Sequence, residues 1–281
     1  MKMLIIAVLQ LIQAIALITV APLLLGWVNQ NRAWLNNKKG AGIFQPYRNL
    51  HKLFLKETVL AENASPIFRA APYIYFAAMC LITAIVPVLS IYLPFSKIAD
   101  VVALVGLFAL VRIFLALAAM DIGTAFGSMG ARREMLVAFL CEPALLMIFF
   151  NVALASQSTS LATIAAATLS EPITLNPSLV FAAVAFVMIL LAENARIPVD
   201  NPNTHLELTM IHEAMILEYS GRHLALIEWA SNLKLLNYFA IGYALFFPWG
   251  IADYVSLVGS LIALLFFILK LAMLGSCLAG F

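Results

Sequence analysis

Arg112 and Glu142 lie inside long apolar runs of the sequence, and Lys270 lies deep in another. Glu193, Asp121 and Glu134 stand at the ends of such runs. A charge at the centre of a bilayer costs at least about 2.5–3.5 kcal/mol, so such residues face a bundle interior or water rather than lipid. Several carboxylates among few bases can form a polar path for protons or ions, because burial moves a carboxyl group toward the range a relay needs. The same residues can instead be structural ion pairs between helices, with Arg112 the obvious partner for a carboxylate.

The stretch Ala192-Glu-Asn-Ala-Arg-Ile-Pro-Val-Asp-Asn-Pro-Asn-Thr-His-Leu-Glu-Leu-Thr-Met-Ile-His-Glu-Ala-Met-Ile-Leu-Glu-Tyr-Ser-Gly-Arg222 concentrates further candidates. Asn201 before Pro202 reads as an N-cap and first helical position. A helix from there to about Tyr219, ended by Gly221, puts Glu207 and Glu218 about three turns apart on one face, with Ile211 and Ala214 between them. Glu213 falls on another face with Leu206, Met210 and Leu217. The helix is too apolar for solvent and is expected to pack against a bundle or a partner. His205, His212 and His223 read as hydrogen-bonding or proton-handling residues at a membrane edge.

Other chemistries lack their residues. His212-Glu213 does not continue to HExxH, because Ile216 and Leu217 stand where a second His is needed. His205 and His212 without a third ligand make no strong metal site. The glycines of Asp121 to Gly130 lack the Lys-Ser/Thr of a phosphate loop and read as places where a loop packs closely on the bundle. Cys80, Cys141 and Cys277 lie far apart in apolar runs, without CxxC spacing, and read as packed thiols. A net charge of +2 gives no case for nucleic acid.

The elements that position these residues follow from composition. Of 281 residues, 64% are hydrophobic and 11% charged, whereas soluble domains carry roughly 25% charged residues. The expected fold is an all-α, polytopic transmembrane helix bundle in one domain. Apolar runs of about the 20 residues needed to span a bilayer occur at 4–28, 70–94, 98–119, 136–157, 177–193, 234–250 and 253–278. The first run continues without a convincing cleavage site and reads as a helix, not a signal peptide. Segments 27–69, 120–135 and 194–234 hold twelve of the sixteen Lys and Arg residues. By the positive-inside rule these lie in the cytoplasm and the N-terminus outside. Residues 45–57 suit an amphipathic interfacial helix, and 194–233 forms a long cytoplasmic loop.

Three motifs then resemble subunit 1 of respiratory complex I and its relatives in membrane-bound group-4 hydrogenases, the hydrogenase-4 and formate hydrogenlyase branch. The first is Asn37-Lys-Lys-Gly-Ala-Gly-Ile-Phe-Gln-Pro-Tyr-Arg48 with Lys52-Leu-Phe-Leu-Lys-Glu57. The second is Met120-Asp-Ile-Gly-Thr-Ala-Phe-Gly-Ser-Met-Gly-Ala-Arg-Arg-Glu134 with Glu142-Pro143. The third is Ala192-Glu193…Arg196-Ile-Pro-Val-Asp200…Glu207…Glu218-Tyr-Ser-Gly221. The family usually has eight spans, one more than is counted here.

The resemblance implies a non-redox membrane subunit of an oxidoreductase complex, without a complete catalytic centre or cofactor of its own. Implied partners are a hydrogenase-like large subunit, an iron–sulfur subunit with the terminal cluster, and antiporter-like membrane subunits. Iron–sulfur clusters and a nickel-iron centre would sit in those partners. It implies a proton path through Glu134, Glu142, Glu193, Asp200, Glu207 and Glu218, with Glu213 adjacent, and Arg133 and Arg196 joining Arg112 as charge partners. Docking of the redox arm would fall on the first two motifs, at Lys39, Gly40, Gln45, Arg48, Lys52 and Asp121. In complex I these loops form the quinone chamber, so a quinone-site subunit of an NADH or ferredoxin dehydrogenase is the neighbouring reading. Val199, Ala41 and Arg132 depart from frequent family residues, and the Asn201–Leu208 run resembles the hydrogenase-like branch better. A stand-alone secondary transporter would show inverted repeats and broken midplane helices, and neither is evident.

Overall fold

The computed structural model describes residues 2–91, 94–170, 177–197, 199–200, 210–251 and 257–280, and its regular elements are all helical. They are α1 (Lys2–Leu35), α2 (Gln45–Leu55), α3 (Pro66–Ile85), α4 (Val101–Asp121), α5 (Ala125–Ser156), α6 (Leu161–Ser170), α7 (Pro177–Glu193), α8 (Ile211–Ile216), α9 (Gly221–Phe246) and α10 (Leu257–Leu278), with a 3-10 turn at Pro94–Ile98. Helices satisfy their backbone groups internally, which apolar surroundings demand. Each of the seven apolar runs falls on a helix. Among the described residues, Ala7–Leu35, α3, α4 and α5 are long and apolar enough to cross a membrane, while Pro177–Glu193 and Ile262–Leu278 are apolar but shorter.

The packing is that of a bundle surrounded by lipid. Phe139, Met147, Leu154 and Phe181 are among the large apolar side chains pointing outward, whereas Gln10, Gln13, Arg112, Glu193 and Asn237 are buried. Helix α3 packs on α4 and α9, α5 lies against α4, α7 and α8, and α1 against α9 and α10. Outward apolar and inward polar groups are what a bilayer selects.

Several boundaries differ from expectation. Helix α5 begins at Ala125, so Gly127 and Gly130 belong to a helix and not to a loop. A Cβ on Gly130 would stand 2.9 Å from that of Ala214, so the glycine admits α8 against α5. Helix α3 stops at Ile85, two residues before Pro87, short of the expected 94. Helix α6 occupies an apolar stretch too short to count as a span. Helix α9 starts at Gly221, well ahead of 234. The amphipathic helix expected at 45–57 is α2, which buries Pro46 and Leu50 and sets Phe54 against Trp229. Cys141 is buried and Cys80 half-buried, but Cys277 is exposed on α10, so not every thiol is packed.

Contacts between loops define two ends. At one, the Asp121 carboxylate accepts from Ser65 N (2.9 Å), Tyr219 Oη donates to Phe68 O (3.0 Å), and Ser220 Oγ bonds both backbone groups of Val59. The basic segments therefore gather at this proximal end. At the distal end, Gln10 and Gln13 bond the backbone around the end of α3, and Asp100 caps α4 through Val102 N and accepts from Thr159.

Candidate functional site

Four helices deliver charge to one point in the proximal half of the bundle. Arg112 comes from α4, Glu134 and Glu142 from α5, Glu193 from the last turn of α7, and Lys234 from α9. Arg112 Nη1 donates to Glu142 Oε1 (2.6 Å), Nη2 donates to Glu193 Oε1, and Nε lies 3.5 Å from Glu134 Oε1. Glu134 and Glu142 start about 12 Å apart along α5, yet one guanidinium fork spans them because its donors point in different directions. Pro143 follows Glu142 and removes an N–H from the helix ladder.

Lys234 completes the group. Its Nζ donates to the Glu193 backbone carbonyl (2.6 Å) and lies 3.1 Å from Glu193 Oε2, off hydrogen-bond alignment. Three carboxylates thus meet two cations. Burial is graded. The Glu193 side chain is 2% exposed and that of Arg112 6%, while Glu142 reaches 34%. Tyr238, stacked on Phe108 at 4.7 Å, has a buried hydroxyl without a hydrogen-bond partner among the described residues. A cavity of about 50 Å³ touches Arg112, Glu134, Glu193 and Lys234, and is also lined by Tyr75, Ser231 and His212. That volume exceeds the roughly 10–15 Å³ a water needs. The cluster therefore borders a space large enough for water.

The other candidates lie apart. Asp200 is 1% exposed. Its Oδ2 accepts from Ile211 N (3.0 Å) at the start of α8, and its Oδ1 has no described partner. Glu213 and Glu218 are exposed. Glu207, His205 and the Asn201-Pro202 start lie outside the described residues. The single helix expected up to Tyr219 does not form, because the Met210 backbone is extended and α8 runs only from Ile211 to Ile216. The expected shared face of Glu207 and Glu218 lies outside the described residues. Gly221 does adopt a left-handed φ of +53°, but it opens α9 rather than ending the preceding helix. A side chain there would press on the Glu57 carbonyl. The expected packing of this region does hold for Ile211, Ala214, Met215 and Ile216, which are buried.

Arg133 is half-buried one position before Glu134. Arg196 forms no ion pair with a described carboxylate; burial, with Arg32 nearby, holds its pKa below the ordinary value. Lys39, Arg48 and Lys52 are exposed on the loop before α2 and on α2 itself, and Gly40 and Gln45 are half-buried beside them. Asp121 is engaged within the chain at Ser65. Sequence reasoning missed Lys234 as a partner of Glu193, since it stands where an apolar run begins and reads as a loop cation. It also missed Tyr75, Ser231 and Tyr238, which carry no motif.

Comparisons with known proteins agree on the family. The family model described as NADH dehydrogenase matches residues 2–279. Formate hydrogenlyase subunit 4 of Escherichia coli (strain K12) is 33% identical over 93% of this chain and 84% of that subunit. Hydrogenase-4 component C of the same organism is 33% identical over 94% of this chain and 82% of that component. A chain of the membrane-bound sulfane sulfur reductase, an archaeal respiratory membrane complex, shares the fold with a TM-score of 0.81 at 20% identity, over 98% of this chain and 88% of that one. An apolar helix bundle built around an acid-rich buried cluster, matched along nearly its whole length, belongs to the NADH dehydrogenase family of complex I subunit 1-like membrane proteins, together with formate hydrogenlyase subunit 4 and hydrogenase-4 component C.

Proposed function

We propose that this chain is the non-redox membrane subunit of a hydrogenase-4 or formate-hydrogenlyase-like oxidoreductase. It anchors hydrophilic redox subunits at the proximal end of the bundle and couples their electron transfer to ion movement through the Arg112 cluster. The observation that carries this reading is an ion-pair cluster of three carboxylates on two cations inside a membrane bundle, with Arg112, Glu134, Glu193 and Lys234 of that cluster lining a cavity. A structural ion pair needs one acid per base and no space. An uneven cluster beside room for water can change its charge when a partner changes its own.

In this reading the hydrogenase-like large subunit and the iron–sulfur subunit dock over α2, where Lys39, Arg48 and Lys52 are exposed. Antiporter-like subunits receive the charge change within the inner membrane. Glu142, the most exposed carboxylate of the cluster, faces outward toward them. The basic proximal end lies in the cytoplasm and the distal end outside. Iron–sulfur clusters and a nickel-iron centre belong to the partners.

A cavity of about 480 Å³ between α1, α2, α8 and α9 gives the quinone reading its support, since ligand pockets commonly run about 300–1,000 Å³. Its lining mixes Asn29, Gln30, Asn49, Glu213 and Glu228 with Leu25, Ile216, Leu217 and Leu224, so it suits water or an amphipathic ligand rather than a purely apolar one. Gentle purification through a tag on this chain, followed by identification of co-purifying subunits, metals and quinone, tests the choice. The expected result is a nickel-containing large subunit with an iron–sulfur subunit. A partner set without nickel that carries stoichiometric quinone would replace the reading with the second one.

A further inference from the structure

Two cavities share a wall at His212 and Ser231. The outer cavity, about 480 Å³, lies between α1, α2, α8 and α9 and mixes polar residues such as Gln30, Asn49 and Glu228 with apolar ones such as Leu25 and Leu224. The inner cavity, about 50 Å³, is lined by Arg112, Glu134, Glu193 and Lys234 of the charge cluster. Among the described residues, His212 and Ser231 line both. His212 sits on α8, which Gly130 holds tightly against α5. The neighbours acting on the imidazole are Glu213 on its own helix, Lys234 of α9 and Asp200 of the loop before α8. Glu228 lies across the outer cavity, and Arg112, Glu134 and Glu193 across the inner one.

A neutral imidazole offers one donor and one acceptor nitrogen on opposite sides of the ring, so it can face two compartments at once. A serine hydroxyl can extend a hydrogen-bond chain but does not keep an extra proton. We propose that His212 is the proton gate between the outer cavity and the Arg112–Glu193 cluster, with the Ser231 hydroxyl beside it in the same wall. A proton from water in one cavity arrives on the free ring nitrogen, and the proton on the other nitrogen leaves into the second cavity. The imidazole is neutral again in its other tautomer, and a ring flip restores the first. Burial, opposed by Glu213, holds the His212 pKa below the ordinary histidine value, so the resting ring is neutral. The inference rests on the coupling role proposed above and names the residue that controls entry to the cluster.

The test uses the complex purified through this chain, reconstituted in liposomes with a pH-sensitive dye and driven by reduced methyl viologen. His212→Ala is expected to lower proton-coupled turnover by about a hundredfold, the lower end of what positioned proton transfer contributes. Free imidazole, which can enter the hole from the outer cavity, is expected to restore a substantial part. Glu193→Gln runs alongside and is expected to be impaired and not rescued by imidazole. Normal turnover in His212→Ala with impaired Glu193→Gln overturns the gate and leaves the coupling role standing. Loss in His212→Ala that imidazole does not relieve marks a merely structural histidine and also overturns it. Normal turnover in both variants removes the coupling role itself. If His212→Ala does not assemble, His212→Gln, which keeps volume and hydrogen bonding, is expected to assemble with the same loss, and wild-type turnover in it overturns the gate.

Discussion

At the distal end, Gln10 and Gln13 of α1 are buried, and each amide both donates and accepts. Gln10 bonds Ala84 O and Phe95 N, and Gln13 bonds Val86 O and Leu89 N. Asn237 of α9 likewise bonds Met79 O and the Thr83 hydroxyl. These groups are neutral and satisfied, and they tie α1 and α9 to α3. The cluster around Arg112 is built differently. It is charged, has more acids than bases, borders a cavity, and lies near a buried hydroxyl on Tyr238 with no described partner. Both regions place polar atoms where apolar side chains would pack more cheaply. The first can be explained by holding helices together, since nothing in it can change state without breaking. In the proposed function the second redistributes protons and charge without loss of the frame.

The comparison breaks most easily at Arg112. Arg112→Met leaves Glu193 buried with only Lys234 beside it and is expected to destabilise the protein by about 3–5 kcal/mol, read as thermal unfolding in mild detergent and as loss from membranes. Combining it with Glu193→Gln is expected to recover much of that stability but not coupled turnover. Recovery of both would make the cluster another clamp. Asn237→Leu, on the neutral side, is expected to cost about 1–3 kcal/mol because it strips a partner from the Thr83 hydroxyl and the Met79 carbonyl. It should leave the number of ions moved per electron unchanged, which proteoliposome assays check. Glu142→Gln, at the exposed edge of the cluster, is expected to leave assembly intact and lower coupled turnover, by less than Glu193→Gln does.

The smallest effect concerns pH. His212 has a folded pKa below its unfolded value of 6.5, so the unfolded chain binds the proton more readily. Stability from this residue is present above the unfolded value and falls as pH drops through it toward the folded one. His212→Gln is expected to flatten that part of the profile of thermal stability against pH. An unchanged slope would place the acid sensitivity on other groups.

What the sequence disclosed follows from contrast. Arg112 and Glu142 stand out because each interrupts an apolar run, and Arg112 was the evident partner for a carboxylate, though not for Glu142 in particular. Glu193 ends such a run and was equally legible. Lys234 was hidden because a cation at the edge of a run looks like an ordinary loop residue, and only the packing of α9 against α7 reveals what it touches. The amphipathic pattern gave α2 nearly to its ends. The start of α5 was not readable, because Gly127 and Gly130 signal a loop in isolation and close helix contact in a bundle. Nor was the short α8, whose start is fixed by an extended Met210 and by the hydrogen bond that Ile211 N donates to Asp200, eleven residues earlier.

The central claim is that the cluster carries mobile charge while the neutral amides only hold helices together. Proton translocation per turnover, measured in proteoliposomes for Glu193→Gln against Asn237→Leu at matched assembly, tests it most directly. The account predicts that Glu193→Gln loses translocation and that Asn237→Leu keeps the wild-type ratio. Equal ratios in the two variants, whether both preserved or both lost, would contradict it.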